Sequence, residues 1–551
     1  MAQRRQTHSQ AAGRPGRMCA VAALAVLLLL RAAAGVPAQE TGPLVQVETS
    51  GGFSLVRMAD YPERALGQLE ERLGAGITRG RAYLFAAGGE QLRVNMLAAP
   101  NAAAAGTLGA SLTEMRSPQF VGRAGRYVFE YATADAARAA DARDHITFRP
   151  TGCAALGEDR LHAYLSRWSQ SIDPDEPQRM NLAGLIPEAG ARRLYVAGEQ
   201  HGIAENQALE FAFLTQLHRR AGVRLYFQEL PYSASLLLDR YLQTGQEQAL
   251  ERAFRGFTGT YSDSRELVRL YRRLRSYNDG LEPAERIRVV GFDIEHQPRT
   301  AFAVAADLVG DRRAPAPHDG LFDRLREAAA RADVASGAVT AETYRTLAGR
   351  TAQAIAGNRG RFGELLGAER SFELELIMSN VVNLFEARAA QQNGEWNRVR
   401  DRMMYENALA LLERLPGDES LFGQWGLNHV FQDEEFGVDW LAARLACDPA
   451  SPLAGRVVSI AYAYEDAQQM GKGSRPPQPL TTYRPDPGTM TCVAKTQYTL
   501  FRLDAPESPY ASQLRWMHAT PRPTGGVTTD YFQYVVLIRD GTAARARERN
   551  N

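Results

Sequence analysis

The sequence predicts an α/β protein with a mainly parallel central sheet flanked by helices, a long helical insertion and a small N-terminal α/β module. Three observations predict it. From about Gly157 onward, short runs rich in β-branched and aromatic residues alternate with longer stretches of helical periodicity, the pattern of parallel strands joined by helices. Four of these runs end in an acidic or histidine residue. Two of the endings repeat one pattern, Gly198-Glu199-Gln200-His201 and Gly426-Leu427-Asn428-His429. In an open α/β sheet, ligands bind beyond the carboxyl ends of the strands, so these distant residues are expected to share one crevice.

The elements follow in order. Arg4, Arg5, Arg14 and Arg17 precede an apolar run from Met18 to Leu30, and Val36-Pro37-Ala38 suits a signal peptidase, so residues 1–38 read as a cleaved signal peptide. The run falls short of the roughly 20 apolar residues that a membrane span needs. No stable membrane span is expected after cleavage, and the compartment is periplasmic or secreted. Residues 39–150 read as the small module, with strands at Phe53–Arg57, Gln91–Met96 and Gly125–Tyr131, a helix at Tyr61–Leu73 and a small-residue loop at Asn101–Ala105. This module holds no polar cluster suited to catalysis, and docking of a protein partner or a spacer role is expected of it.

Residues 151–545 form the main domain. Its strands are expected at Arg193–Ala197, Val223–Gln228, Arg286–Gly291, Ser420–Trp425, Val457–Tyr464, Gln497–Leu503 and Tyr531–Ile538. A helix carries Leu209, Phe213 and Leu217 on one face, another spans Ser264–Tyr277, and helical sequence runs from Leu321 to Leu415. Lys472–Pro487, rich in Pro, Gly and Thr, reads as a mobile loop.

The chain has 64 basic and 63 acidic residues, so nothing favours nucleic acid or an acidic membrane surface. Beyond the signal segment it has Cys153, Cys447 and Cys492, whose spacing suits no zinc site. An exported compartment permits one disulfide, and Cys447–Cys492 is the easier pair.

The chemistry is expected at the strand ends. His201 follows a glycine-flanked turn, with Glu199 two residues before it and Glu205 one helical turn after. A carboxylate beside a histidine fixes its tautomer and raises its basicity, which suits it to take a proton from water. Glu229 ends a buried apolar run, where an unpaired carboxylate is costly, so it needs a histidine, an arginine or a metal as partner. Asp293 and Glu295 end the next strand, although Asp293 also suits a helix cap. In Trp396-Asn397-Arg398-Val399-Arg400-Asp401-Arg402-Met403, an arginine turned into the crevice would clamp a carboxylate or stabilise an oxyanion. Gly-x-Ser-x-Gly, Gly-x-x-x-x-Gly-Lys and His-Glu-x-x-His are absent, which weighs against serine-hydrolase, nucleotide and zincin chemistry.

From about Leu185 to Val430 these residues, in their order, resemble the erythromycin-esterase-like family, within a broader group that includes the Tiki, TraB/GumN and ChaN proteins. The stretches that carry the resemblance are Ala191–Glu199, His201-Gly202, Glu229, Gly291-Phe292-Asp293, Arg400-Asp401 with Met404, and Asn428-His429-Val430. The resemblance implies a hydrolase in which His201 is the general base on a water that opens an ester or lactone. Glu199 and Glu229 would orient it, His429 would complete the site, and Asp293 and Arg400 would lie beside them. The esterases place two residues between the glutamate and the histidine, whereas only Gln200 intervenes here. That tighter form resembles the Tiki and TraB side, which implies a divalent metal on His201, His429 and Glu229 as one option. The ChaN resemblance implies a haem- or metal-binding protein without turnover as the alternative. The expected partner is a small-molecule or peptide substrate, at an ester or amide carbonyl.

Overall fold

The computed structural model describes residues 45–547 apart from 75, 100–101, 125–126, 151–159, 181–191, 334–340, 416, 418, 473–474, 485–489, 495 and 521. The expected signal peptide, Cys153 and the start of the family resemblance lie outside the described residues. The chain forms two compact units, which divide between Gly157 and Glu158.

The first unit has strands β1 (Val45–Thr49), β2 (Ser54–Asp60), β3 (Arg79–Ala87), β4 (Glu90–Ala98), β5 (Val121–Ala124), β6 (Tyr127–Tyr131) and β7 (Ile146–Pro150). β1 pairs with β7, and the other five form an antiparallel sheet in the order β2-β3-β4-β6-β5. The loop expected at Asn101–Ala105 is instead the start of a helix, Ala102–Arg116. Its alanines are the strongest helix formers, so small size there signals helix, not loop.

The second unit is built on eight strands: β8 (Ser169–Ser171), β9 (Leu194–Glu199), β10 (Leu225–Pro231), β11 (Arg288–Asp293), β12 (Leu421–Gly426), β13 (Val457–Glu465), β16 (Tyr498–Arg502) and β17 (Tyr534–Arg539). A small hairpin, β14 (Ala467–Gln469) and β15 (Gln478–Leu480), stands apart from them. The sheet order is β11-β10-β12-β9-β13-β17-β16-β8. It is parallel from β11 to β17 and antiparallel at β16 and β8. All six residues of β9 are buried, as expected of a strand covered by helices on both faces.

Chain order and sheet order diverge at the centre. β9 is followed by β10 and β11 on one side, and β12 then returns to lie between β10 and β9. The helical insertion makes this return, as the helices Leu321–Asp333, Ala341–Gly357, Arg359–Leu366, Ala368–Gln391 and Trp396–Leu412. Trp425 anchors β12: it is fully buried, its Nε1 donates to the Phe227 carbonyl at 2.8 Å, and its ring meets Phe292 edge-on at 5.1 Å. An aromatic side chain of this size buries about 150–250 Å², enough to fix the strand among its neighbours.

Two expectations are corrected here. Part of the loop expected at Lys472–Pro487 is strand β15, because Gln478–Leu480 finds β14 as an antiparallel partner. Cys447, expected to pair, instead closes the helix Leu441–Cys447 with a free thiol, its Sγ 3.7 Å from the Gln432 carbonyl; the Cys492 side chain lies outside the described residues. Among the described residues no helix is long and apolar enough to cross a membrane.

Candidate active site

The two Gly-x-x-His turns leave adjacent parallel strands, with Gly198 opposite Trp425 and Glu199 opposite Gly426. The histidines therefore meet across the strand pair. A Cβ on Gly426 would lie 3.5 Å from His201 Cε1, 3.4 Å from His429 Cδ2 and 3.4 Å from Glu229 Oε2. A side chain there would intrude on the groups that converge. Gly198 is needed for packing: a Cβ on it would stand 2.5 Å from Val430 Cγ2, so the chain after β12 could not fold over β9.

His201 heads the turn into the helix Ala204–Ala221, and its side chain is 50% exposed. Its Nδ1 bonds to Glu199 Oε1, and among the described residues Nε2 has no hydrogen-bond partner. Glu199 is buried and also accepts from Asn206 Nδ2. Asn206 is fixed in turn by the Tyr464 hydroxyl at 2.8 Å, and that hydroxyl accepts from Gln200 N at 3.1 Å. The charge of Glu199 pushes the His201 imidazole up to about 9 against the opposing effect of burial. Deeper in the core, Glu210 accepts from the Tyr226 hydroxyl and from Gln228 Nε2 at 3.1 Å, and burial pushes its carboxyl up to about 8.

The other half is organised by Arg400, which reaches in from the helix Trp396–Leu412. Its Nε donates to Asp293 Oδ1 at 3.0 Å, its Nη2 to Asp293 Oδ2 and Glu229 Oε1 at 2.6 Å each, and its Nη1 to His429 Nε2 at 3.1 Å. Arginine has only donors, so His429 Nε2 is the acceptor and its proton lies on Nδ1. That proton is given to Asp401 Oδ1 at 2.8 Å, and Asp401 itself is held by Leu441 N at 2.9 Å. Glu229 Oε2 accepts from Gly426 N at 2.7 Å. Burial raises the Glu229 carboxyl, but the positive charges around it, Arg400 and His201 among them, outweigh it and bring it down to about 2. Asp293 is likewise buried and is held well below the usual carboxylate range by Arg400 and by His296, whose Nε2 donates to it at 2.8 Å.

All six expected residues, His201, Glu199, Glu229, His429, Asp293 and Arg400, thus come together in one cluster. Others do not. Glu205 turns away to Thr542, accepting from its amide and its hydroxyl at 2.8 Å each. Glu295 is buried on Ser233, which donates from N at 2.8 Å and from Oγ at 2.6 Å, and burial raises its carboxyl to about 8. Arg398 and Arg402 point outward to Glu395, Glu386 and Glu406. The residues that sequence reasoning missed are Asn206, Tyr464, His296 and Asp401. Only Asp401, beside Arg400 in the family-like stretch, left any signal.

The donor set does not fit a metal on His201, Glu229 and His429. The Arg400 guanidinium already binds Glu229 and faces His429 Nε2, so a cation there would meet a fixed positive charge. Among the described residues no group of three or more His, Cys, Asp or Glu is placed to hold a metal ion.

The erythromycin esterase family model matches residues 218–425. The match takes in Glu229, Asp293 and Arg400, while His201 lies before it and His429 just beyond. Among solved structures, a protein from Bacillus cereus is 16% identical with a TM-score of 0.53, covering 71% of this chain and 99% of its own. A succinoglycan biosynthesis protein is 15% identical with a TM-score of 0.53, covering 70% and 98%. A mutant of the erythromycin esterase EreC in its open conformation is 14% identical with a TM-score of 0.52, covering 68% and 98%. Among curated protein sequences none matches. The family match bears out the resemblance read from the sequence and supports a hydrolase-type function in general terms. The structural neighbours show the fold.

Proposed function

We propose that this is an exported hydrolase that cleaves an ester or amide bond in a small molecule or peptide, with His201 as general base. The observation that carries the reading is the half-exposed His201, whose Nδ1 is held by a buried carboxylate at the edge of the charged cluster. In the step proposed, Nε2 takes a proton from water as the water oxygen bonds to the carbonyl carbon. The tetrahedral intermediate then collapses, the bond to the leaving oxygen or nitrogen breaks, and the proton on Nε2 passes to that leaving group. Arg400 supplies a fixed positive charge on the opposite side and favours the developing oxyanion.

Turnover of a panel of lactones, esters and amides by the wild type and by His201→Ala tests this reading. The expected loss is about 10²–10⁴-fold in kcat. Unchanged hydrolysis in the variant overturns the assignment. Export is tested separately: the mature chain recovered outside the cytoplasm is expected to begin at Gln39.

A further inference from the structure

A cavity of about 870 Å³ lies between the end of the helix Glu247–Gly256 and the start of the helix Pro298–Val309. Its lining carries Arg252, Arg255, Arg299 and Arg388 and, among the described residues, no carboxylate. In a chain whose 64 basic and 63 acidic residues nearly cancel, that is a marked local excess of one sign. Arg252 is tied to Asp307 at 2.7 Å. Arg255, Arg299 and Arg388 are exposed, and among the described residues none of them makes an ion pair. A second arginine-rich groove, along the helix Arg265–Asp279, differs in this respect. It also holds Glu247 and Glu251, and its Arg272 is paired with Glu247 at 3.1 Å. That groove sets two carboxylates among its five arginines, whereas the first sets none among its four.

Two short pieces of chain run from this basin to the charged cluster. Thr258 lines the basin, and three residues later the Tyr261 ring lies 6.0 Å from the His201 ring. Gln297 also lines it, directly after His296, whose Nε2 donates to Asp293 at 2.8 Å. One piece therefore leads to the His201 side and the other to the Arg400 side. The helix Pro298–Val309 begins at the basin without a side-chain cap, which adds the positive end of its dipole.

We infer that this basin receives an anionic group of the substrate, a carboxylate or a phosphate, while the bond to be cleaved lies at His201. The inference rests on the hydrolase reading above. Guanidinium groups bind either anion through paired N–H donors, and with no carboxylate in the lining the positive field is left for a ligand.

The test compares the wild type with the triple variant Arg255→Gln/Arg299→Gln/Arg388→Gln, full-length and in solution. All three side chains are exposed, so the fold is expected to stand. With 4-nitrophenyl hemisuccinate, KM is expected to rise about tenfold or more, since a charge-assisted bond contributes on the order of a factor of ten. kcat should change little, and KM for neutral 4-nitrophenyl butyrate should stay unchanged. Restoring lysine at all three positions should recover part of the loss. Equal effects on the two esters, or no effect on either, overturn the inference and leave the hydrolase reading standing.

If neither ester is turned over, calorimetric titration of His201→Ala with succinate and with inorganic phosphate reads the basin directly. Binding of either anion that weakens about tenfold when the three arginines are also replaced supports the inference. Binding of one anion but not the other identifies which group the basin takes. No binding of either, or binding unaffected by the replacement, overturns it.

Discussion

The two Gly-x-x-His turns have the same spacing, leave neighbouring strands and meet over the same glycine, yet they end in opposite surroundings. His201 is half exposed, touches one carboxylate and keeps one ring nitrogen free. His429 is buried with both nitrogens engaged, one by Asp401 and one by Arg400. The first arrangement suits a group that exchanges protons with a ligand. The second suits a group that holds a charged network in place. Spacing puts a histidine at a strand end, but its neighbours from other elements set its role.

The largest expected effect comes from removing the centre of the buried half. Arg400→Gln leaves Glu229 and Asp293 as buried carboxylates without their cation, and breaking such a pair costs about 3–5 kcal/mol. Urea unfolding should show that loss, whereas His201→Ala should leave the unfolding midpoint nearly unchanged. Similar midpoints for the two variants would erase the contrast between the halves. Asp401→Asn should have a smaller effect. It keeps the volume but weakens the bond to His429, and loss of such a bond to a charged group costs about 1.5–3 kcal/mol.

Acid and base should divide the halves further. Folding lowers the Glu229 carboxyl from its ordinary 4.5 to about 2, so the unfolded chain binds more protons between these values. Its contribution to stability is present above pH 4.5 and is lost as the pH falls toward 2; Glu229→Gln should flatten that part of the profile. The smallest effect is a shift, not a loss. Glu199 raises His201 to about 9, and a base must be unprotonated, so kcat/KM should climb with pH up to about 9. In Glu199→Gln the rising limb should move to lower pH, toward the ordinary 6.5 of an imidazole. A limb that stays in place would show that another group sets it.

Much of the site could be read from the chain because strand ends are local features. Glu229 and Asp293 follow apolar runs, and both histidines follow glycines, so periodicity and turn chemistry placed them. Arg400 was legible only within the family-like stretch. The helix that carries it has arginine at every second position from Arg398 to Arg402, and nothing in that alternation says that Arg400 faces in while Arg398 and Arg402 face out. Glu205 shows the reverse error: it is close to His201 in sequence, but the helix turns it toward Thr542.

The sequence by itself determined the α/β class, the strand ends and the types of group that line them, because these depend on residue patterns a few positions long. It could not show that β12 inserts between β10 and β9, which is what brings His429 to His201. Nor could it show that Arg400 stands where a metal was one option, or that Asn206, Tyr464 and Asp401 orient the two histidines. Those contacts join residues up to 264 positions apart, as between Gln200 and Tyr464. Only the sheet order and the packing of helices on it decide which distant donor meets which buried acceptor.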